Sequence, residues 1–257
     1  MPLSNFFVQG FDSVERVLRA CSGPAMLQTA WLRRALPQSC ALCIAPCGDA
    51  LLCPDCRVAL PALGPACPVC ALPSPQAAVC GACLRRAPPF DATIAAWRYA
   101  FPVDRLLHAF KYGGHLALAE PLAEGLAGAV ACHDSEVDSI VALPLAAARQ
   151  RERGFNQAHE IAKRIARRTK RTLLPALARV RDGVPQAALP WRERARQVRN
   201  AFAATHRIDD RRIALVDDVM TTGATLAAAA KALRLAGAAR IELWVVARTL
   251  PIGQDGA

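Results

Sequence analysis

The chain has 257 residues, of which 53% are hydrophobic and 21% charged. That balance excludes a disordered chain and provides for one good core plus a smaller module. The net charge of +11 is concentrated in one segment: residues 149–212 hold eighteen Lys/Arg against six Asp/Glu, the pattern of a chain that meets a polyanion such as a pyrophosphate compound or nucleic acid.

No run of 18 apolar residues occurs, so no membrane span is expected. Met1 to Gly10 carry neither the basic flank nor the apolar stretch of a signal peptide, and a cytoplasmic protein is the expectation. Residues 1–36 place Phe7, Phe11, Val14, Val17 and Leu18 at helical spacing, then Ala30 to Leu36, and read as a helical extension with no legible chemistry. Cys21 within it reads as a small core residue or free thiol.

Residues 38–86 are dense in cysteine. Cys40-x₂-Cys43 and Cys53-x₂-Cys56 are separated by nine residues, and the arrangement repeats as Cys67-x₂-Cys70 and Cys80-x₂-Cys83. Each Cys-x₂-Cys forms a knuckle whose thiolates converge on one ion, and two knuckles close a tetrahedral Zn²⁺ site. The expectation is two structural Zn²⁺ ions, with adjacent knuckles paired as Cys40/Cys43/Cys53/Cys56 and Cys67/Cys70/Cys80/Cys83. A crossed pairing is the alternative, and Cys47 is spare. Pro54, Pro68 and Gly81 suit the tight turns. A module of this size has too small a core to fold alone, so metal supplies the missing stability.

Pro88-Pro89 opens the second part, residues 90–250. The pattern predicts a strand over Ala92–Tyr99, a helix over Val103–Lys111 ended by Gly113-Gly114, and a helix over Leu116–Val130 despite Pro121. A buried strand over Ser139–Leu145, a basic loop over Ala146–Gln157 and a helix over Gln157–Arg168 follow. Val180–Leu189 reads as a loop or weak hairpin, and Pro190–Val198 as a short basic helix. Strands are expected at Ile213–Val216 and Ile241–Ala247, with a helix over about Leu226–Leu235 between them and a disordered tail at 251–257. Alternating strands and helices predict an α/β fold with a parallel sheet.

The chemistry concentrates in Ile213-Ala-Leu-Val216-Asp217-Asp218-Val-Met-Thr221-Thr222-Gly223-Ala224-Thr225. A strand, a Thr/Gly turn and a helix start make an anion seat, because the N–H groups of the first helical turn face outward. Carboxylates repel phosphate, so Asp217 and Asp218 need another task there, and accepting hydrogen bonds from sugar hydroxyls is the natural one. The plain alternative is a Rossmann-like strand end whose Asp and Thr residues cap a helix.

This window resembles the phosphoribosyl-pyrophosphate (PRPP) signature of type I phosphoribosyltransferases. Lys111-Tyr-Gly-Gly114, Arg151-Glu-Arg-Gly-Phe-Asn-Gln157 and Arg199-Asn-Ala-Phe202 narrow the resemblance to the competence-protein F (ComF) branch, as does the cysteine-rich module ahead of the transferase-like part. The resemblance covers roughly residues 38–250. It implies a Rossmann-like domain behind a double zinc ribbon, PRPP bound by Val216 to Asp218 and Thr221 to Thr225, and Mg²⁺ bound with PRPP. The acidic pair Asp217 and Asp218 serves catalysis, and Pro144, Leu145, Arg149, Arg151, Arg153, Lys111 and Arg199 are candidates for the pyrophosphate loop or a hood over the ligand. Ala146-Ala147-Ala148 and Ala142 depart from the family pattern in that loop.

Two functions fit. One is pentosyl transfer from PRPP to an unidentified acceptor. The other is a non-catalytic single-stranded DNA-binding or scaffold protein on the same fold, with other competence proteins such as a helicase as partners. Trp191 among Arg192, Arg194, Arg196 and Arg199 reads either as an aromatic and basic track for single strands or as a solvated face. Lys111 reads either as a functional cation or as an ordinary helix-end charge, and Phe155 as a base-stacking or a core ring. His108 and His159 read as surface or capping residues.

Overall fold

The computed structural model describes residues 38–180 and 201–251. The extension 1–36, the basic helix and arginines of 190–199 and the tail 252–257 lie outside them. Two short helices, α1 (Pro54–Val58) and α2 (Gly81–Arg85), each start from the first cysteine of a second knuckle, Cys53 or Cys80, and carry its other cysteine, Cys56 or Cys83. The larger part holds β1 (Ala92–Arg98), α3 (Val103–Tyr112), α4 (Ala119–Ala131), β2 (Ser139–Ala142), α5 (Ala147–Arg153), α6 (Gln157–Thr169) and β3 (Thr172–Leu173). It continues with β4 (Leu177–Arg179), β5 (Phe202–Ala204), β6 (Arg212–Met220), α7 (Ala224–Leu235) and β7 (Arg240–Arg248).

Five strands form one parallel sheet in the order β1-β7-β6-β2-β3. Its central strands are apolar on both faces, as a parallel sheet covered by helices requires. On one face Ala214, Val216, Trp244 and Val246 pack with α3, α4 and α6; on the other Ile213, Leu215, Leu243 and Val245 pack with α7 and the β4–β5 pair. Helix α3 buries Val103, Leu106, Leu107 and Phe110, one stripe at helical spacing. Helix α6 starts where the Asn156 side chain accepts a hydrogen bond from the His159 N–H.

Several expected elements shift. The strand predicted over Ser139–Leu145 stops at Ala142, although the Leu143 N–H still donates to the Val216 carbonyl; Pro144 has no N–H with which to continue the ladder. The expected basic loop 146–157 contains α5, closed by Gly154 at φ +77°. The helix predicted from Leu116 begins as a 3-10 turn, Leu116–Leu118, and Pro121 falls in the first turn of α4, where a missing N–H costs nothing. Strand β6 runs four residues beyond Val216, so Asp217 and Asp218 are strand residues, and α7 begins at Ala224. The two-residue β3 has no signature of its own and is placed by pairing with β2. Val180 donates its N–H to the Ala201 carbonyl, extending the β4–β5 pair; the rest of the predicted loop or hairpin, Arg181 to Leu189, lies outside the described residues.

The ribbon is stitched to the outer strand of the sheet. The Arg98 N–H donates to the Pro61 carbonyl and the Thr93 N–H to the Pro68 carbonyl, each at 3.0 Å. Arg57 pairs with Glu124 of α4 at 2.7 Å.

Candidate functional site

The eight cysteines form two groups, Cys40/Cys43/Cys53/Cys56 and Cys67/Cys70/Cys80/Cys83, with the sulfurs of each group within 4.8 Å of one another. Adjacent knuckles therefore pair. Cys43 and Cys53 sulfurs lie 3.6 Å apart, and Cys70 and Cys80 sulfurs 3.7 Å apart. These separations match the edge of a tetrahedron with Zn–S bonds of about 2.3 Å and are far beyond a disulfide of about 2.05 Å. Backbone N–H groups point at the sulfurs, Cys53 to Cys40 Sγ at 3.4 Å and Cys80 to Cys67 Sγ at 3.3 Å. Burial pushes the Cys40 and Cys67 thiols up, but N–H donors outweigh it and draw them down to about 6 and about 7. The donor sets fit structural Zn²⁺, closed by four thiolates. Cys47 stands apart, its thiol donating to the Ala50 carbonyl at 2.9 Å.

The second site lies at the carboxyl end of the sheet, where ligands of open α/β folds bind. Asp217 and Asp218 sit near the end of β6 with Thr221, Thr222 and Gly223 between that strand and α7. Gly223 adopts φ +77°, and a Cβ there would stand 2.6 Å from Met220 Cε, so the turn requires glycine. Gly223, the N-cap of α7, offers no side-chain bond, the Thr222 hydroxyl accepts from the Ala224 N–H only at 3.4 Å, and Thr221, Thr222 and Ala224 are exposed, which leaves the helix start open to an anion. Val216 is a core residue whose side chain is fully buried; its carbonyl serves Leu143.

Burial first, and the Asp218 charge second, push the Asp217 carboxyl up to about 8; the Asp218 N–H, Lys111 and Arg149 pull the other way. The Asp218 N–H donates to Asp217 Oδ1 at 2.8 Å. Lys111 Nζ lies 3.0 Å from Asp218 Oδ1. Of the sequence candidates, the fold thus brings Lys111 onto the Asp217–Asp218 pair, with exposed Arg149 near enough for its charge to act on Asp217. Arg151 is exposed on α5, and Pro144 and Leu145 are half-buried between β2 and α5.

Arg153 takes a different position. It donates to the Tyr112 hydroxyl and to Gln157 Oε1, each at 3.0 Å, and lies over the Tyr112 ring at 4.8 Å. The Phe155 ring packs against Phe110 at 5.3 Å, which makes it a core ring. His159 is exposed near the start of α6, and His108 is exposed on α3, its ring 4.9 Å from Tyr112. Arg199 lies outside the described residues.

One site residue gave no signal in the sequence. Arg248, the last residue of β7, is 3% exposed and donates to four backbone carbonyls, those of Cys70 in the ribbon and of Met220, Thr221 and Thr249. Its mark in the sequence is no more than a cation after the apolar run Leu243 to Ala247.

A double zinc ribbon domain model matches residues 31–84, and a phosphoribosyl transferase domain model matches residues 121–250. The chain is similar to DNA utilization protein YhgH of Escherichia coli strain K12, 32% identical over 225 residues that cover 84% of this chain and 99% of that protein. It is likewise similar to competence protein F of Haemophilus influenzae, 32% identical over 177 residues covering 65% of this chain and 77% of that protein. Among solved structures, glutamine phosphoribosylpyrophosphate amidotransferase from B. subtilis aligns at 21% identity over 49% of this chain and 25% of that one, with a TM-score of 0.35. Among the described residues no helix is long and apolar enough to cross a membrane.

Proposed function

Because this chain belongs to the family of competence protein F and DNA utilization protein YhgH, a double zinc ribbon joined to a phosphoribosyl transferase domain, we propose that it binds PRPP at the carboxyl end of β6 in the service of DNA use. The observation that carries this reading is the ordered set on β6 and α7: a carboxylate pair, a glycine-dependent turn and an uncapped helix start. Thr221 to Thr225 receive the 5′-phosphate through N–H groups and hydroxyls. Asp217 and Asp218 accept the ribose hydroxyls. Lys111 and Arg149 balance the carboxylates and face the pyrophosphate.

Mg²⁺ suits this donor set, since it is commonly held by one or two carboxylates plus substrate phosphates and would neutralise departing pyrophosphate. The chain's own part in pentosyl transfer is positioning and electrostatics at an oxocarbenium-like ribosyl carbon, with no covalent nucleophile required. Cytoplasmic residence accords with a phosphorylated sugar ligand and with thiolate metal sites.

Isothermal titration with PRPP and Mg²⁺ tests the reading. At pH 8.5, above the raised Asp217 value, wild-type protein binds, and Asp217→Asn/Asp218→Asn loses measurable binding, because each charged acceptor contributes roughly 1.5–3 kcal/mol. Undiminished affinity in that variant removes the ribose role. A pyrophosphate-release screen over bases then decides turnover.

A second reading keeps the seat without turnover. Half-exposed Lys163 and exposed Arg167 stand at i and i+4 on α6, and exposed Lys170 follows at its left-handed C-cap, a basic stripe that suits a single-stranded polyanion.

A further inference from the structure

Three consecutive carbonyls of the second ribbon, at Pro68, Val69 and Cys70, are all claimed by the larger domain. The Thr93 N–H donates to Pro68 at 3.0 Å, the Thr93 hydroxyl to Val69 at 2.6 Å, and Arg248 Nε to Cys70 at 2.9 Å. Arg248 Nη1 donates to the carbonyls of Met220 at 2.9 Å and Thr249 at 3.1 Å, and also to that of Thr221. One planar, buried guanidinium therefore holds a zinc-ligand backbone on one side and the first residues of the phosphate turn on the other. Its donors are fixed in a rigid fork, so displacing the Cys70 carbonyl displaces the whole group.

The first cysteine group is attached differently. It meets the larger domain through the Arg57–Glu124 pair, through apolar packing of Ala41, Leu52 and Leu60, and through backbone contacts of Pro61 and Ala62 with Arg98 and Trp97 of β1. Among the described residues none of these contacts bonds to residues 220–223, and none engages the Arg248 side chain.

We propose that the second cysteine site and the PRPP seat form one coupled unit through Arg248, a positioning residue that sets the phosphate turn only while metal holds the Cys67–Cys70 knuckle in shape. The first site has no such coupling. The proposal rests on the reading of Thr221–Thr225 as the phosphate seat, and it makes the second zinc a condition of ligand binding. By linkage the effect is reciprocal: the factor by which losing that ion weakens PRPP binding equals the factor by which PRPP tightens the ion.

The test uses the zinc-loaded full chain and the chelator 4-(2-pyridylazo)resorcinol. With PRPP and Mg²⁺ present, one of the two zinc ions should be retained about tenfold more tightly at equilibrium, within the usual range of site-to-site coupling, and the other should be unaffected. Cys83→Ser and Cys43→Ser, each weakening one site, identify which ion is which. Arg248→Lys should keep both ions, lose the selective retention and bind PRPP about tenfold more weakly. Equal retention of both ions, or of neither by a chain that binds PRPP, overturns the coupling. A second arm needs no ligand: amide hydrogen exchange at 220–225 should quicken in Cys83→Ser and stay unchanged in Cys43→Ser. Unchanged exchange in Cys83→Ser overturns the proposal without any variant of Arg248. A wild-type chain that binds no PRPP removes the functional reading, while the exchange arm still decides the coupling.

Discussion

Lys111 Nζ stands 3.0 Å from Asp218 Oδ1, with the two side chains only 19% and 11% exposed. The last turn of α3 thus delivers a cation to the carboxylate pair at the end of β6, a relationship that spans more than a hundred residues of sequence. Replacing Lys111 with Met leaves an unpaired, nearly buried carboxylate beside Asp217. The expected cost is about 2–4 kcal/mol at pH 8, near the range for breaking a buried pair and reduced for residual exposure. Acid relieves it, because protonating either carboxylate removes the repulsion. Denaturant unfolding at pH 8 and pH 5 checks this; an equal loss at both values would mean that Lys111 acts through packing alone.

The raised Asp217 carboxyl makes a second pH-dependent prediction. Folding lifts its pKa from the ordinary 3.8 to about 8, so the folded state binds more protons than the unfolded state between those values. Stability tied to this group is fully present below about pH 4 and lost progressively as pH rises through about 8. Asp217→Asn keeps the acceptor for the Asp218 N–H and cannot ionise. It should gain stability over wild type as pH rises, by about 1–3 kcal/mol at pH 7.5 and much less at pH 4.5. Parallel pH profiles for the two proteins would show that the carboxyl titrates normally.

The sequence made the parallel α/β fold legible because its buried strands are short, apolar and separated by helical patterns. The cysteine repeat was legible because ligand spacing is a local property. Local signals did not reach contacts made across the fold. Asp217 and Asp218 were visible as a pair, but Lys111 could be weighed only as a helix-end charge until α3 and β6 were seen side by side. Arg153 reads in sequence as one of three basic loop residues, yet its guanidinium is taken by Tyr112 and Gln157. Arg248 was silent for the same reason: all its partners are backbone carbonyls, which carry no residue-type signature.

Gly223→Ala tests the turn itself. The residue sits at φ +77° and its new Cβ would press on Met220 Cε at 2.6 Å. The flexible Met220 tip can move, but the left-handed backbone remains strained, and a loss of about 1–2 kcal/mol is expected. PRPP affinity should fall more than stability does, since the turn geometry aims the N–H groups. Calorimetry and thermal unfolding on the same variant separate the two, and unchanged affinity would place the phosphate elsewhere.

Metal content gives a fourth check. Two complete thiolate sets predict two Zn²⁺ per chain, measurable by elemental analysis. Eleven titratable thiols in a folded, metal-free chain, in place of the three outside the two sets, would contradict the sites. Cys40→Ser should reduce solubility first, because its sulfur is buried in the contact between ribbon and α4 face.

The last prediction separates turnover from nucleic-acid binding through salt. If the α6 stripe tracks a single strand, affinity for single-stranded DNA falls steeply with salt, and each lost phosphate contact flattens the log–log slope by about 0.7. Replacing Lys163, Arg167 and Lys170 with Ala should then reduce the slope by about 2 while PRPP affinity stays constant. The arginines at 192, 194 and 196, which lie outside the described residues, are the competing candidates from the sequence. Their triple Ala variant should flatten the slope instead if that segment carries the strand, or weaken PRPP binding if it closes over the ligand as a hood. Because the stripe lies along α6 and its C-cap and the seat lies at the end of β6, the two ligands should respond independently to the α6 variant. A loss of PRPP binding in that variant would refute a separate track and return these cations to the support of the ligand site.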